Sequence, residues 1–277
     1  MIRACMGEVV GTFILVLFGI GSVHVAVLTG ALAGLWQVAM IWGVGLALAI
    51  YATGAASGAH LNPAITVAMA AFRGFPVRRV APYVISQFVG AVAAAALLYA
   101  VYGGAIAGFE SAQGLVRGAP GSELSAMMYG EYFPNPAMAK ALPGILGTVS
   151  LGGAMLAEGL GTALLAFFIF AVTDRRNIGG PGSALAPLAI GLAVAVIIGI
   201  IAPVTQAGLN PARDFGPRIV AYLAGWGPVA IPGPRGGFFT VYILAPVLGA
   251  LVGAAAYRYL LSPSRSAAKG AAMSPAE

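Results

Sequence analysis

The sequence predicts an all-α membrane protein: six transmembrane helices and two re-entrant half-helices, arranged as an inverted repeat. Three observations predict it. The 277 residues are 60% hydrophobic and only 8% charged, with a mean hydropathy of +0.94, whereas charged residues make up about a quarter of a soluble domain. Apolar stretches of about 20 residues, enough to cross a hydrocarbon core of roughly 30 Å, recur along the chain. The tripeptide Asn-Pro-Ala stands at Asn62, Pro63 and Ala64 and again at Asn210, Pro211 and Ala212, each time inside this apolar setting.

The spans begin near Cys5, Leu35, Pro82, Gly153, Ala184 and Phe238. Arg3 followed by Ile14, Leu15, Val16 and Leu17 resembles a signal peptide, but Glu8 and the length of the run favour a retained first span. Cys5 stands alone, so no disulfide framework exists within the chain and its expected role is that of a small buried hydrophobe. Between the second and third spans, residues 62–72 are apolar but short. At 1.5 Å per residue they reach roughly half of the core, which predicts a half-helix that enters and does not cross. Asn210 opens the matching segment, which runs toward Gly225 and carries Gly216 and Pro217 as candidate kinks.

Glu8, Val9, Val10, Gly11, Thr12 returns as Glu158, Gly159, Leu160, Gly161, Thr162, and an Asn-Pro-Ala follows 54 residues after the first glutamate and 52 after the second. Each copy holds three spans, an odd number, so the second enters from the opposite face. The predicted organisation is a single channel domain over residues 1–262. Its repeats, about 5–103 and 153–261, are joined by a linker, about 104–152, and a tail, 263–277, is expected to be disordered. Gly7 with Gly11 and Gly249 with Gly253 are spaced for close helix packing.

Asn is a preferred cap and proline fits the first helical turn, so each tripeptide marks a helix N-terminus. A third copy, Asn135, Pro136 and Ala137, lies in the linker without an apolar flank and reads as a surface helix cap. The other two place two positive helix ends head-on near the midplane, each with an Asn amide able to donate into a lumen. Such a field repels cations and reorients a file of water. Unwound backbone at membrane depth is tolerated only where it is buried or wet. It would expose the carbonyls of Gly58, Ala59, His60 and Leu61 and of Gln206, Ala207, Gly208 and Leu209. Glu8 and Glu158 fit either a proton relay or, preferably, anchors that accept hydrogen bonds from those loops.

The segments SGAHLNPA at Ser57–Ala64 and GLNPARDFGP at Gly208–Pro217 resemble the aquaporin superfamily, and within it the bacterial glycerol facilitators. Asp214, Arg218 and the pair Pro246-Val247 are similar to glyceroporins. The resemblance covers Glu8 to about Arg258 and implies an aquaporin-like bundle, a pore in each protomer and a homotetramer. It makes Arg213 the selectivity-filter arginine and Trp42 its aromatic wall, a slab and donor pair suited to a polyol. The same match places Ile198, with Gly199 adjacent, where a glycine is usual, and Ala207 where a phenylalanine is usual. Trp42, Ile198, Ala207 and Arg213 together look more like the plant nodulin-26-like filter. His60 is expected to offer its carbonyl with its ring near the cytoplasmic vestibule, and His24 to sit at the interface. Asp214 is expected to favour the half-helix N-terminus.

The expected function is passive passage of glycerol and similar small neutral solutes, with some water and without protons or ions. A water, urea or metalloid-acid channel is the alternative within the family, and a secondary transporter the alternative outside it. No enzyme constellation, cofactor or metal set stands out, with only His24 and His60 available as bases. The net charge of +6 does not point to nucleic acid, because the basic residues sit at span ends. Arg3, Arg73, Arg78, Arg79, Arg175, Arg176, Arg258, Arg265 and Lys269 share one face, so both termini are expected on the cytoplasmic side of an inner membrane.

Overall fold

The computed structural model describes residues 1–32, 34–142, 144, 147 and 149–263; the expected disordered tail, apart from residue 263, lies outside them. Among the described residues, six helices are long and apolar enough to span a membrane: α1 Ile2–Thr29, α2 Leu35–Ser57, α4 Val80–Ala112, α7 Leu151–Val172, α8 Gly182–Thr205 and the segment Thr240–Leu261, whose α-helical centre is α10 Ala245–Ala256. The short helices α3 Pro63–Phe72 and α9 Pro211–Ala221 are the two half-helices, and α5 Glu123–Ala126 and α6 Pro136–Ala141 lie in the linker. At 1.5 Å per residue each half-helix is about 15 Å long, so together they equal one crossing of a roughly 30 Å core. Pro217 sits inside α9 without ending it, and the break comes at Gly225, which takes φ 106°.

The third span outruns its expected end near residue 103 and continues helically to Ala112. Its added turns carry Glu110, which Arg117 grips through Nε at 3.0 and 3.1 Å and Nη2 at 2.7 Å, while the Ser125 hydroxyl donates to it at 2.7 Å. This network fastens the linker to one face of the bundle, called here the linker face.

Packing repeats the sequence symmetry. In lipid, apolarity alone does not drive helices together, so close approach of small residues decides which pairs form. A Cβ on Gly90 would strike the carbonyl of Val9, joining α4 to α1, and one on Gly249 would strike the carbonyl of Gly159, joining α10 to α7. Val9 and Gly159 each follow the glutamate that begins their repeat. Each half-helix packs against the last span of the other repeat, α3 on α10 and α9 on α4, and α2 meets α8 across the repeat boundary. Cys5, expected to be buried, is half-buried.

Candidate pore and its constriction

Asn62 caps α3 by accepting from the Ala64 N–H at 2.8 Å, and Asn210 caps α9 by accepting from Ala212 at 3.0 Å and Arg213 at 3.3 Å. Pro63 and Pro211 occupy the first turns, where the missing N–H costs nothing. Each Asn amide also reaches across to the opposite loop. Asn62 Nδ2 donates to the Leu209 carbonyl at 2.9 Å and Asn210 Nδ2 to the Leu61 carbonyl at 2.8 Å. One N–H of each amide is therefore committed to this clasp, and the second remains for the lumen.

The turns before the two caps are left-handed at six positions, Gly58, Ala59 and Leu61 in one and Gln206, Ala207 and Leu209 in the other, with φ between 49° and 84°. Only Gly58 adopts this without steric cost. Two carboxylates hold the strained path. Glu8 accepts from the N–H groups of His60 at 2.9 Å and Leu61 at 2.8 Å and from Gln87 Nε2 at 2.7 Å. Glu158 accepts from Gly208 at 2.9 Å, Leu209 at 2.8 Å and the Thr205 hydroxyl at 2.6 Å. No protein donor reaches the carbonyls of Gly58, Ala59, His60, Ala207 or Gly208 among the described residues.

These loops form one wall of a cavity of about 760 Å³. It opens beside Arg175, Asn177 and Ser183 on the face opposite the linker, passes Asn62 and Asn210, and reaches Trp42 and Arg213. Gly58, Ala59, His60, Leu61, Gly208 and Leu209 line it on one side, and Leu46, Ile50, Val194 and Ile198 supply an apolar wall. Ala207 also lines it. One expected residue is placed differently. Gly199 is turned away from the cavity toward Trp36, whose ring lies 3.9 Å from where its Cβ would be. The Gln206 side chain accepts from the Tyr132 N–H at 2.9 Å and donates to the Met127 carbonyl at 3.2 Å, fastening the linker to the end of α8.

At this end of the cavity the Arg213 guanidinium lies 4.1 Å from the centre of the Trp42 ring. Arg213 Nη1 is ion-paired with Glu131, a linker residue that sequence reasoning passed over; both side chains are nearly fully buried. Asp214, one residue on, is engaged with Arg218, whose Nε donates to both its oxygens at 2.9 and 2.8 Å. Arg218 also donates to the carbonyls of Ala230, at 2.8 Å, and Glu131. Asp214 in addition accepts from the Glu131 N–H at 2.7 Å, so its carboxylate serves the linker as well as the helix start.

Two further expectations are corrected by burial. His24 is not interfacial: it is wholly buried, its Nδ1 2.7 Å from the Ile20 carbonyl and its ring packed between Tyr102 and Tyr129. Asn135 does cap α6, but it is buried, and its Nδ2 donates to the Ala202 carbonyl at 3.0 Å. The His60 ring packs on Phe75 and Tyr83, with Nδ1 3.3 Å from the Thr66 hydroxyl, while its residue lines the cavity. Among the described residues no three His, Cys, Asp or Glu side chains are grouped to hold a metal ion.

Comparison with known proteins matches this geometry to a family. The model described as Major intrinsic protein matches residues 1–257. The glycerol uptake facilitator protein of Haemophilus influenzae is 46% identical over 255 residues, 92% of each chain. The propanediol uptake facilitator of Citrobacter freundii is 45% identical over 258 residues, 93% of this chain and 91% of its own. The crystal structure of the aquaglyceroporin from Plasmodium falciparum superposes with a TM-score of 0.79 over 95% of this chain and 97% of that one, at 24% identity, a likeness of fold. Matched from residue 1 to 257 and this similar to relatives over nearly their whole length, the chain is a member of the major intrinsic protein family.

Proposed function

We propose that the chain is a passive pore for glycerol and related small uncharged solutes, with some water passage and exclusion of protons and ions. Membership of the family makes it a multi-pass membrane channel and not an enzyme. The observation that carries the solute class is the constriction, where the Trp42 ring and the Arg213 guanidinium meet at 4.1 Å on a lumen with one apolar wall and one wall of free carbonyls. A polyol has the same two faces: its CH edge suits the ring and aliphatic side chains, and its hydroxyls suit the guanidinium and carbonyls. The names of the two bacterial relatives, facilitators of glycerol and of propanediol, agree with a small polyol.

In this reading Trp42, Ile198, Ala207 and Arg213 form the filter, Glu8 and Glu158 hold the loops, and the two half-helix ends supply the barrier to cations. The pore sits in each protomer of a homotetramer in an inner membrane, with both termini cytoplasmic and the linker outside. The concentration of arginines at the terminal face supports this orientation. Stopped-flow light scattering on proteoliposomes under glycerol, urea and water gradients tests the solute. Glycerol entry should be fast and non-saturating, and fast water flow with no glycerol flux overturns the assignment.

A further inference from the structure

We infer that Glu131 is a positioning and charge-balancing residue of the filter: it holds Arg213 over the Trp42 ring and cancels its charge, and so keeps anions out of the pore. This rests on the reading of the chain as a channel for neutral solutes. Two helix N-termini already make the middle of the lumen positive, and an unpaired guanidinium beside them would draw anions in. A fixed negative charge at that level offsets this attraction.

The surrounding groups leave one residue to supply it. Four ionisable side chains cluster here, Glu131, Arg213, Asp214 and Arg218, and their formal charges sum to zero. Asp214 gives both oxygens to Arg218 at 2.8 to 2.9 Å, so the carboxylate paired with Arg213 is that of Glu131. Glu131 is 2% exposed, and no hydrogen-bond donor reaches its Oε2. Glu8 and Glu158, which hold loops, have both oxygens occupied. A carboxylate kept only as a brace would show the same double engagement. Glu131 is aimed instead at one guanidinium: its Oε1 is ion-paired with Nη1 of Arg213, a contact of charges and not a hydrogen bond, and the other donors of Arg213 are left for solute.

The backbone around Glu131 is fixed without its side chain. Its N–H donates to Asp214 at 2.7 Å, its carbonyl accepts from Arg218, and the next residue is tied by Tyr132 N–H to Gln206 at 2.9 Å and Tyr132 hydroxyl to the Val229 carbonyl at 2.9 Å. Side-chain substitutions at 131 therefore probe the charge and not the path of the loop.

The test uses the full chain in proteoliposomes, with chloride and nitrate as probe ions under a valinomycin-set potential, alongside stopped-flow glycerol and urea flux. E131Q is expected to raise nitrate conductance about tenfold and to lower the glycerol-to-urea ratio, because Arg213 is both unbalanced and released. E131D, which keeps the charge, should stay closed to nitrate. In an R213A background the E131Q change should add nothing, since the charge it balances is gone. Nitrate conductance of E131Q within about twofold of the parent, or an equal leak in E131Q and R213A/E131Q, overturns the inference. Should E131Q fail to reconstitute, E131S removes the same charge in a smaller side chain, and a tight E131S pore overturns it equally. Absence of glycerol flux in the parent protein would instead sink the proposed solute, and the nitrate comparison would still decide the role of Glu131.

Discussion

Glu8 and Glu158 each satisfy two consecutive backbone N–H groups that left-handed neighbours have turned away from any helix. A left-handed residue other than glycine costs about 1–2 kcal/mol. Ala59 and Leu61 carry that cost in one loop, and Gln206, Ala207 and Leu209 in the other. Hydrogen bonds to a charged group contribute roughly 1.5–3 kcal/mol each, so three per carboxylate offset the strain even after part is lost to desolvation. Glu158→Gln is the sharper probe because an amide offers one acceptor where the carboxylate offers two. One of Gly208 N–H, Leu209 N–H or the Thr205 hydroxyl then loses its partner, at a cost of about 1–3 kcal/mol, and the carbonyls of that loop lose their aim. The expected outcome is a lower melting temperature in detergent together with reduced glycerol flux. Unchanged values of both would mean that the loop holds its own shape.

The two half-helices are joined by their caps: Asn62 reaches the loop before α9 and Asn210 the loop before α3, at 2.9 and 2.8 Å. Asn210→Asp keeps the capping oxygen but removes this donor and puts a negative charge between two positive helix ends. Cation exclusion should weaken, seen as proton or sodium leak in dye-loaded vesicles. Leak equal to that of the parent would remove the helix ends from the barrier. The caps themselves were legible in the sequence, because Asn-Pro sets a helix start locally, and all three copies do cap helices. Their destinations were not. The target of Asn62 lies 147 residues away and that of Asn135, the Ala202 carbonyl, 67. Asn135 was expected at the surface because its polar flank says nothing about the span that covers it. Glu131 escaped notice for the same reason, since it meets Asp214 and Arg213 only across 83 and 82 residues of chain. Gly199 and Ile198 show the limit of reading a helix face by alignment: one step along α8 is about 100°, enough to move a residue from lumen to periphery.

At the scale of the whole molecule, the face that carries both termini ties the repeats together through charge. Arg73 donates to the Phe170 carbonyl at 2.6 Å and Arg258 to that of Phe72, so the negative C-terminal end of α3 receives an arginine from the last span. On the linker face Arg117 does the same for the end of the second half-helix region, donating to the Ala224 carbonyl at 3.1 Å. Asp174, between α7 and α8, closes the terminal-face set: it accepts from Arg176 Nε at 3.0 Å and Nη2 at 2.8 Å, from Tyr257 at 3.1 Å and from Ser262 at 3.3 Å. Arg176 chiefly, with help from Tyr257, holds the Asp174 carboxyl well below its ordinary value of 3.8. A carboxyl depressed on folding adds stability that is complete above its unfolded pKa and is lost as pH falls through the folded one. Because Arg176 is 42% exposed, water screens the pair and the contribution is about 1 kcal/mol or less. Asp174→Asn should therefore lower the melting temperature by about 1–3 °C. The deficit should be constant from neutral pH down to about pH 5 and should shrink below about pH 4, where the carboxyl of the unfolded parent takes up its proton while that of the folded parent is still ionised. Thermal unfolding of both proteins across that range is the measurement. A deficit that persists undiminished to pH 3, or is absent at pH 7, would show that Asp174 acts through packing and not through its charge.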